Sequence, residues 1–282
     1  MGETMDLLRG AIDVHVHSAP DVIARKASDI AIVEQARAAG MRALLLKSHT
    51  FSTCERAYLL NFFYPDFKVF GGITLNDTIG GLNPKAVEAA LKLGARCVWM
   101  PTKSAANHRR SLGHADGLTI ADNGMVRAEV KTILRLIADA DAVLATGHLA
   151  PEESRVLVEA ALTAGVKRIS VTHPEWGVTS VSIELQSELR RMGDGVYFER
   201  CLVSTQTDLR EYVPFERIAE QIRAVGVEST IIATDFGMPQ YPTPVEGMKL
   251  YIERLRGAGF TEREIKMMCQ DNPAALLGLP SG

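Results

Sequence analysis

The sequence predicts a (β/α)8 barrel, the TIM-barrel architecture in which eight parallel strands alternate with helices. The first observation is a repeated unit, in which a helix-like segment closes on a glycine and runs straight into an apolar strand, as at Gly40, Gly94 and Gly165. Glycine tolerates the left-handed backbone found just past a helix end, and continuous apolar runs are typical of strands covered on both faces. The second is the count, because eight such units fit into 282 residues without a Pro/Ser linker or a low-complexity tract. We therefore expect a single domain spanning residues 1–282.

Taken in chain order, the apolar runs place the eight strands at residues 11–17, 43–49, 69–75, 97–102, 142–147, 168–173, 195–202 and 229–235. The segments between them carry helix starts. Asn83-Pro84 and Pro151 open two helices, and Thr261 with Glu264 forms a capping box. An open doubly wound sheet is the alternative, but the turn after the first strand lacks the G-x-G-x-x-G phosphate loop expected of a dinucleotide-binding sheet.

Residues 103–127, which follow the fourth strand, interrupt this repeat. They are rich in His, Arg, Asn and Gly, and Asn123-Gly124 between two apolar stretches is a strong β-hairpin signal. A connection of this length at the carboxyl end of a barrel strand is more often functional than idle. We expect an insertion with a small hairpin that acts as a lid.

Composition excludes several classes of function. The formal net charge is −3, from 31 Lys and Arg against 34 Asp and Glu, and no long run of either sign occurs, so electrostatics favours neither nucleic acid nor a membrane. No stretch approaches 18 apolar residues without a charge, and the first residues do not resemble a secretory leader. The four cysteines are widely scattered and predict reduced thiols. We expect a cytoplasmic protein with a small-molecule partner, and self-association into a homo-oligomer stays open.

Histidines at the ends of the predicted strands indicate a metal site. His15 and His17 lie two positions apart in the first strand, so their side chains project to one face and can hold one ion. His148, His173 and Asp235 end three later strands. Because the carboxyl ends of barrel strands converge on one face, these side chains are expected to meet there. A lone histidine is usually structural, but this repeated placement favours metal ligands.

This pattern resembles the amidohydrolase superfamily. The matching residues are Asp13-Val14-His15-Val16-His17 on the first strand, His148, His173 and Asp235 on the fifth, sixth and eighth, and the C-terminal run at 272–279. The resemblance covers almost the whole chain and implies a distorted (β/α)8 barrel. It implies that His15, His17, His148 and Asp235 bind a divalent metal, with His173 either ligating a second metal or polarising the substrate.

The fourth strand departs from the superfamily pattern. Binuclear members usually carry a carboxylated lysine or a glutamate at its end, and here Lys103 comes one or two residues late. Lys47, which ends the second strand, is a rival. A lysine at that position is costly to bury without a partner, so Lys47 is a carbamylated bridging ligand, an ammonium contacting substrate, or a snorkelling residue. We favour a role in the site for Lys47.

The expected ligand set suits chemistry on a carbonyl group. Nitrogen and oxygen ligands with an open position suit one or two ions of Zn²⁺ or a related metal, which lowers the pKa of bound water to about 7. Asp235 can then move the proton of the attacking water, although a helix N-cap is its alternative role, and His173 and Lys47 are further catalytic candidates. Candidate substrate contacts, each also compatible with a structural or solvated role, are Asn76, Lys103, His49, His108, Glu199 and Arg200, of which Arg200 equally suits an internal ion pair.

Three functions are compatible with these residues. The leading one is a metal-dependent hydrolase acting on a C–N or C–O bond of a cyclic amide, amide or lactone. The second keeps the metal but decarboxylates its substrate, as related barrels do. The third is a metal-bearing barrel that has lost catalysis and serves in binding, and the presence of a candidate base, Asp235, argues against it.

Overall fold

The computed structural model describes residues 7–280. Its strands, numbered in chain order, are β1 Ile12–Val16, β2 Ala43–Leu46, β3 Lys68–Phe70, β4 Gly72–Thr74, β5 Cys97–Trp99, β6 Ala121–Asp122, β7 Met125–Val126, β8 Val143–Ala145, β9 Arg168–Thr172, β10 Val196–Cys201 and β11 Thr230–Ala233. Apart from the β6–β7 hairpin, all pair in parallel, in the orders β1-β2-β3 and β4-β5-β8-β9-β10-β11. This is the predicted TIM-barrel-like α/β fold.

The third predicted strand is interrupted at Gly71, which separates β3 from β4. A side chain there would meet the backbone of Thr53 and Cys54, with a Cβ only 2.6 Å from the Thr53 carbonyl oxygen. The Thr53 hydroxyl oxygen accepts a hydrogen bond of 2.9 Å from the Gly72 amide. The start of the helix Cys54–Phe63, which precedes β3, thus supplies an acceptor for a backbone donor next to this break, and glycine at position 71 permits the close approach.

The first and last barrel strands are joined at their carboxyl ends. The Asp235 amide donates to the His15 carbonyl at 2.9 Å, and the His17 amide donates to the Phe236 carbonyl at 2.9 Å. These two bonds bring the histidines of β1 directly beside the residue that follows β11.

Helices surround the strands: α1 Asp29–Ala38, α2 Cys54–Phe63, α3 Pro84–Lys92, α4 Ala106–Ser111, α5 Ala128–Asp139, α6 Pro151–Thr163, α7 Ile183–Met192, α8 Phe215–Val225, α9 Pro244–Gly257, α10 Glu262–Lys266 and α11 Asn272–Leu276. The predicted capping box is present, since the Thr261 hydroxyl accepts from the Glu264 amide and the Glu264 carboxylate accepts from the Thr261 amide. Inside the strands, side chains such as Leu45, Trp99 and Ala145 form an inner core that α11 closes at one end. In the part of the chain described, no helix is both long and apolar enough to cross a membrane.

The insertion after β5 divides into two parts. The predicted hairpin is present as β6 and β7, and its turn residues Asn123 and Gly124 have φ of 49° and 76°, as a two-residue type I′ turn requires. The hairpin packs against α6, and the Ile120 amide donates to the Glu153 carboxylate at 3.0 Å. Helix α4, by contrast, reaches the carboxyl ends of the strands, so this earlier part of the insertion adjoins the site. Closure of residues 103–127 as a lid stays a prediction.

Candidate metal centre

Three buried histidines converge on the Asp235 carboxylate. His15 Nε2 lies 2.9 Å and His17 Nε2 lies 3.0 Å from Oδ1, while His173 Nε2 lies 3.3 Å from Oδ2. The histidines are at most 4% exposed and the Asp235 side chain is 15% exposed, so the carboxylate faces the opening of the site. No helix begins at Asp235, which excludes the alternative role as an N-cap.

His15 is held from behind by a second carboxylate. Its Nδ1 lies 2.6 Å from Glu199 Oε1, and the other Glu199 oxygen accepts from the Ser170 hydroxyl at 2.9 Å. Burial lowers the pKa of His15, but the charges of Asp235 and Glu199 outweigh burial and raise it. Burial raises the pKa of Asp235, and the attraction of His15 and its hydrogen bonds reverse this, holding that pKa well below its usual range. The lowered pKa favours a charged Asp235 carboxylate, to which a cation can bind.

The backbone at two of these positions is strained. His173 and Asp235 both have φ of 51°, in the left-handed region that non-glycine residues rarely adopt. Each such residue costs about 1–3 kcal/mol and persists only where its surroundings impose it. Strained backbone at two neighbouring strand ends, one of which carries the shared carboxylate, is typical of a functional site.

Lys47 also points into this site. It is 1% exposed and, among the described residues, its Nζ has no hydrogen-bond partner. The ammonium lies 5.3 Å from the centre of the Trp99 ring. Burial lowers its pKa, opposed by the charges of Asp235 and Glu199. An unpartnered buried amine is costly, so the position favours a role in the site over a snorkelling side chain.

Two inward residues of β10 complete the centre and were not predicted in these roles. Glu199, predicted from the sequence as a substrate contact, instead supports His15. Cys201 joins His15, His173 and Asp235 in a group whose ligand atoms all lie within 4.8 Å of one another. The two residues alternate along the strand and therefore share its inner face. That spacing is the sequence signal that could have revealed them.

His17 is engaged on both ring nitrogens. Arg25 Nη2 lies 3.2 Å from its Nδ1, and Asp21 holds the same guanidinium at 2.7 and 2.8 Å. Because arginine only donates, His17 Nδ1 accepts and Nε2 carries the proton toward Asp235. Burial lowers the pKa of His17 to about 3, so the ring is neutral. For His17 to bind a metal through Nε2, its proton would have to move to Nδ1, and Arg25 would have to give up its hydrogen bond to Nδ1.

His148 lies beside this group rather than within it. Its ring centroid is 5.6 Å from that of His173, and its Nδ1 lies 3.0 Å from the Nδ1 of His108 on α4. Trp176 packs on the rings of His108, His148 and His173 at 5.0–5.8 Å. The ligand role of His148 stays a prediction, while His108 is shown to contact a residue of the site.

Three predicted substrate contacts line one cavity next to the centre. His49, Asn76 and Lys103 border a cavity of ≈ 510 Å³ that also touches Asp77 and Ser104. His49 stacks on His17 with ring centroids 4.9 Å apart. Burial, followed by the nearby His17 and Lys47, holds the pKa of His49 well below its usual range. The cavity and the carboxylate cluster therefore adjoin through one histidine pair.

Arg200 lies elsewhere, which corrects its predicted role with the substrate. It is fully buried on the outer face of β10, where its guanidinium pairs with Glu175 and donates to Gln186 at 3.0 Å. Neighbouring residues of a strand face opposite ways, so Glu199 pointing inward places Arg200 outward. The internal ion pair, the alternative stated from sequence, is what the structure shows.

The residues fit a divalent metal. His15 donates from Nδ1 to a carboxylate and so presents Nε2 to an ion, the usual arrangement of a ligating histidine. His15 Nε2 and His173 Nδ1 are buried without a geometrically acceptable hydrogen bond among the described residues. Two imidazoles, a carboxylate and a thiol form a donor set that suits zinc.

Comparison with solved structures gives the class of fold. An amidohydrolase from Pseudomonas aeruginosa is 13% identical with a TM-score of 0.68, and the match covers 98% of this chain and 97% of that one. An amidohydrolase from Burkholderia multivorans with bound zinc is 14% identical with a TM-score of 0.61, covering 96% and 99%. A 2,6-dihydroxybenzoate decarboxylase is 12% identical with a TM-score of 0.53, covering 96% and 100%. The predicted resemblance to the amidohydrolase superfamily is confirmed at the level of the fold.

A comparison with family models gives the family of this chain. A model described as a family of unknown function (DUF6282) matches residues 10–199, so this chain belongs to that family. The comparison with curated proteins finds no match.

Proposed function

We propose that this protein is a metal-dependent hydrolase that cleaves a carbonyl-type C–N or C–O bond of a small molecule such as a cyclic amide, amide or lactone. The observation that carries the proposal is the Asp235 carboxylate, shared by His15, His17 and His173 at 2.9–3.3 Å and partly open to solvent. The zinc in one amidohydrolase of the same fold supports zinc as the ion.

His15, His173 and Asp235, with Cys201 or His17 beside them, would hold the ion. A divalent metal there supplies a Lewis acid that activates water and polarises a carbonyl. Asp235 accepts the proton of the attacking water on the oxygen nearest the opening and returns it to the leaving nitrogen or oxygen. Glu199 keeps the His15 ring in place during this transfer, since it bonds the nitrogen that faces away from Asp235.

Lys47 has two alternative roles in this proposal. As a neutral amine it can add carbon dioxide, forming an N–C bond and releasing one proton, and the resulting carbamate would bridge two ions. As an ammonium it would contact the substrate directly. Lys47→Ala lowers metal content from two ions toward one in the first case, whereas in the second metal content persists and turnover falls. Unchanged metal content and activity would make the lysine structural.

The decisive experiment is metal analysis of the purified protein followed by assays on amides, lactones and carboxylated ring compounds. His15→Ala should remove most of the metal and all metal-dependent activity, while His114→Ala, which removes an exposed loop histidine, should change neither. Full metal occupancy in His15→Ala contradicts the site. Carbon dioxide release from a carboxylated ring would replace hydrolysis by decarboxylation, and metal binding without turnover would favour a binding protein.

We also propose that the enzyme acts in the cytoplasm. Cys54, Cys97, Cys201 and Cys269 are all buried free thiols, which suits a reducing compartment. When the protein is denatured without a reductant and titrated with a thiol reagent, four reduced cysteines should be found.

A further inference from the structure

We propose that Thr102 and Asn76 hold His49 in the tautomer that carries its proton on Nε2, making His49 a hydrogen-bond donor to an oxygen of the substrate. The substrate role rests on the proposed function, whereas the tautomer is a property of the free protein. His49 is then a catalytic residue, and Thr102 and Asn76 are positioning residues that act through it.

The arrangement starts from the Asn76 side chain, whose orientation is fixed by two backbone donors. Asn76 Oδ1 accepts from the Thr102 amide at 2.9 Å and from the Ser104 amide at 3.1 Å. Its Nδ2 must therefore point the other way, where it donates to Thr102 Oγ1 at 2.8 Å and to the His49 carbonyl at 2.8 Å. All four bonds agree with one assignment of the amide.

The proton of the Thr102 hydroxyl then has one acceptor. Thr102 is fully buried and its Oγ1 lies 2.9 Å from His49 Nδ1, the only contact left for the hydroxyl among the described residues. If Nδ1 carried a proton, the hydroxyl would accept twice and leave its own proton buried without a partner. A buried unsatisfied donor costs about 1–3 kcal/mol. Thr102 therefore donates to Nδ1, and the imidazole proton lies on Nε2.

The position of His49 makes this donor useful. Its ring stacks on His17 and stands 6.1 Å from the ring centroid of His148. The same residue borders the ≈ 510 Å³ cavity together with Lys103. A substrate that reaches from this cavity to the Asp235 carboxylate passes His49. A donor fixed in advance at that point stabilises negative charge that develops on a carbonyl oxygen.

The tautomer is tested directly by long-range ¹H–¹⁵N NMR of protein labelled at histidine, with His49 assigned from the spectrum of His49→Gln. We expect an unprotonated Nδ1 and a protonated Nε2. In Thr102→Val the His49 signals should show a mixture of the two tautomers. In Thr102→Ser, which keeps the hydroxyl, they should show the wild-type tautomer. A proton on Nδ1 in the wild type overturns the proposal, and so does a spectrum that Thr102→Val leaves unchanged.

Kinetics test the donor role. His49→Phe, which keeps an aromatic ring but has no donor, should lower kcat about 100-fold, the usual cost of one lost oxyanion donor, with metal content retained. Thr102→Val should lower kcat about tenfold with KM nearly constant, Thr102→Ser should recover it, and the exposed Thr132→Val is the matched control. Wild-type kcat in His49→Phe overturns the donor role. If the wild type lacks metal and hydrolytic activity, the proposed function fails while the tautomer result stands.

A separate observation assigns a self-association surface to the outer side of α2. Tyr58, Leu59, Phe62 and Phe63 there are 54–72% exposed, and the helix carries no charged residue after its first turn. We infer that this face binds the same face of a second copy of this chain across a two-fold axis.

Area and charge support that occupant. The four side chains expose roughly 500 Å² of apolar surface, which is at the upper end for a monomer and supplies more than half of the about 800 Å² that a stable dimer buries on each partner. Exposed Glu55 lies at the start of α2 and exposed Lys68 shortly beyond its end. Antiparallel packing of two α2 helices brings each glutamate near the lysine of the other copy, which completes the patch with complementary charges.

Sedimentation equilibrium tests this interface. The wild type should be a dimer, Phe62→Glu should weaken association at least 100-fold, and Met125→Glu, which alters an exposed residue of the hairpin, should leave the dimer intact. Phe62 is exposed, so Phe62→Glu should keep the wild-type circular dichroism. A wild-type monomer, or a dimer that Phe62→Glu does not weaken, overturns the inference.

Discussion

On the two faces of β10 lie two buried clusters of charged side chains, which differ in how completely their polar atoms are hydrogen-bonded. On the outer face, Arg200 pairs with Glu175 and bonds Gln186 and Thr230, so its donors have partners. On the inner face, Glu199 supports His15, but Lys47 nearby has no hydrogen-bond partner among the described residues. The charged side chains on both faces are almost inaccessible to solvent.

Burial of charge therefore does not by itself mark a functional site. The outer cluster is satisfied and its backbone is unstrained, which is what a structural network needs. The inner cluster combines unsatisfied atoms with positive φ at His173 and Asp235. Such features persist where a ligand completes the arrangement, and this distinguishes the candidate centre from the ion pair one residue away.

The largest expected effect is on stability at the outer face. Arg200→Ala leaves Glu175 buried without a counter-charge, so the free energy of unfolding should fall by about 3–5 kcal/mol in denaturant titrations. Glu228→Ala, at an exposed pair with Arg190, should cost less than about 1 kcal/mol. Equal losses in the two variants would contradict the structural role of Arg200.

Metal removal should affect the inner face. An ion that binds only the folded state at a concentration 100 times its Kd adds about 2.7 kcal/mol of stability. Chelation should therefore lower the Tm of the wild type by several degrees and leave the Tm of His15→Ala unchanged. The measurement is calorimetry with and without chelator, and a wild-type Tm insensitive to verified metal removal counts against a tightly held ion.

Metal binding should also release a proton. In the metal-free site the pKa of His15 is raised, mainly by Asp235 once burial is overcome, and an ion on Nε2 must displace that proton. The affinity for the metal should thus reach its full value above the raised pKa of His15 and fall about tenfold per pH unit below it. Titration calorimetry below the raised pKa of His15, in buffers of different ionisation enthalpy, measures the released proton, and a buffer-independent enthalpy there would exclude it.

The smallest expected effect concerns the strained backbone. At His173, where φ is 51°, replacement by glycine should give a metal-free protein about 1 kcal/mol more stable than replacement by alanine, because only glycine adopts that conformation freely. At His17, which has an ordinary φ, alanine should be the more stable of the two. Denaturant midpoints of the four variants check this, and the same order at both positions would contradict strain at His173.

All eight predicted barrel strands are present, because an apolar run that follows a helix-ending glycine is a local signal. The break at Gly71 escaped prediction, since it depends on the backbone of Thr53 and Cys54 coming into contact with it. The prediction that His15, His17, His173 and Asp235 meet followed from the rule that parallel strands end at one face. Asn123-Gly124 predicted the hairpin, but nothing in the sequence predicted that the hairpin packs on α6.

The sequence by itself thus determined the strand and helix order, the fold class and the residues at the strand ends, because these depend on periodicity and on neighbours in the chain. Only the tertiary structure decided that Glu199 supports His15, that Arg200 pairs with Glu175, and that Arg25 reaches His17. Two adjacent charged residues in a strand look alike in sequence. Their roles separate only when closure of the strands directs one side chain to the interior and the other to the helices.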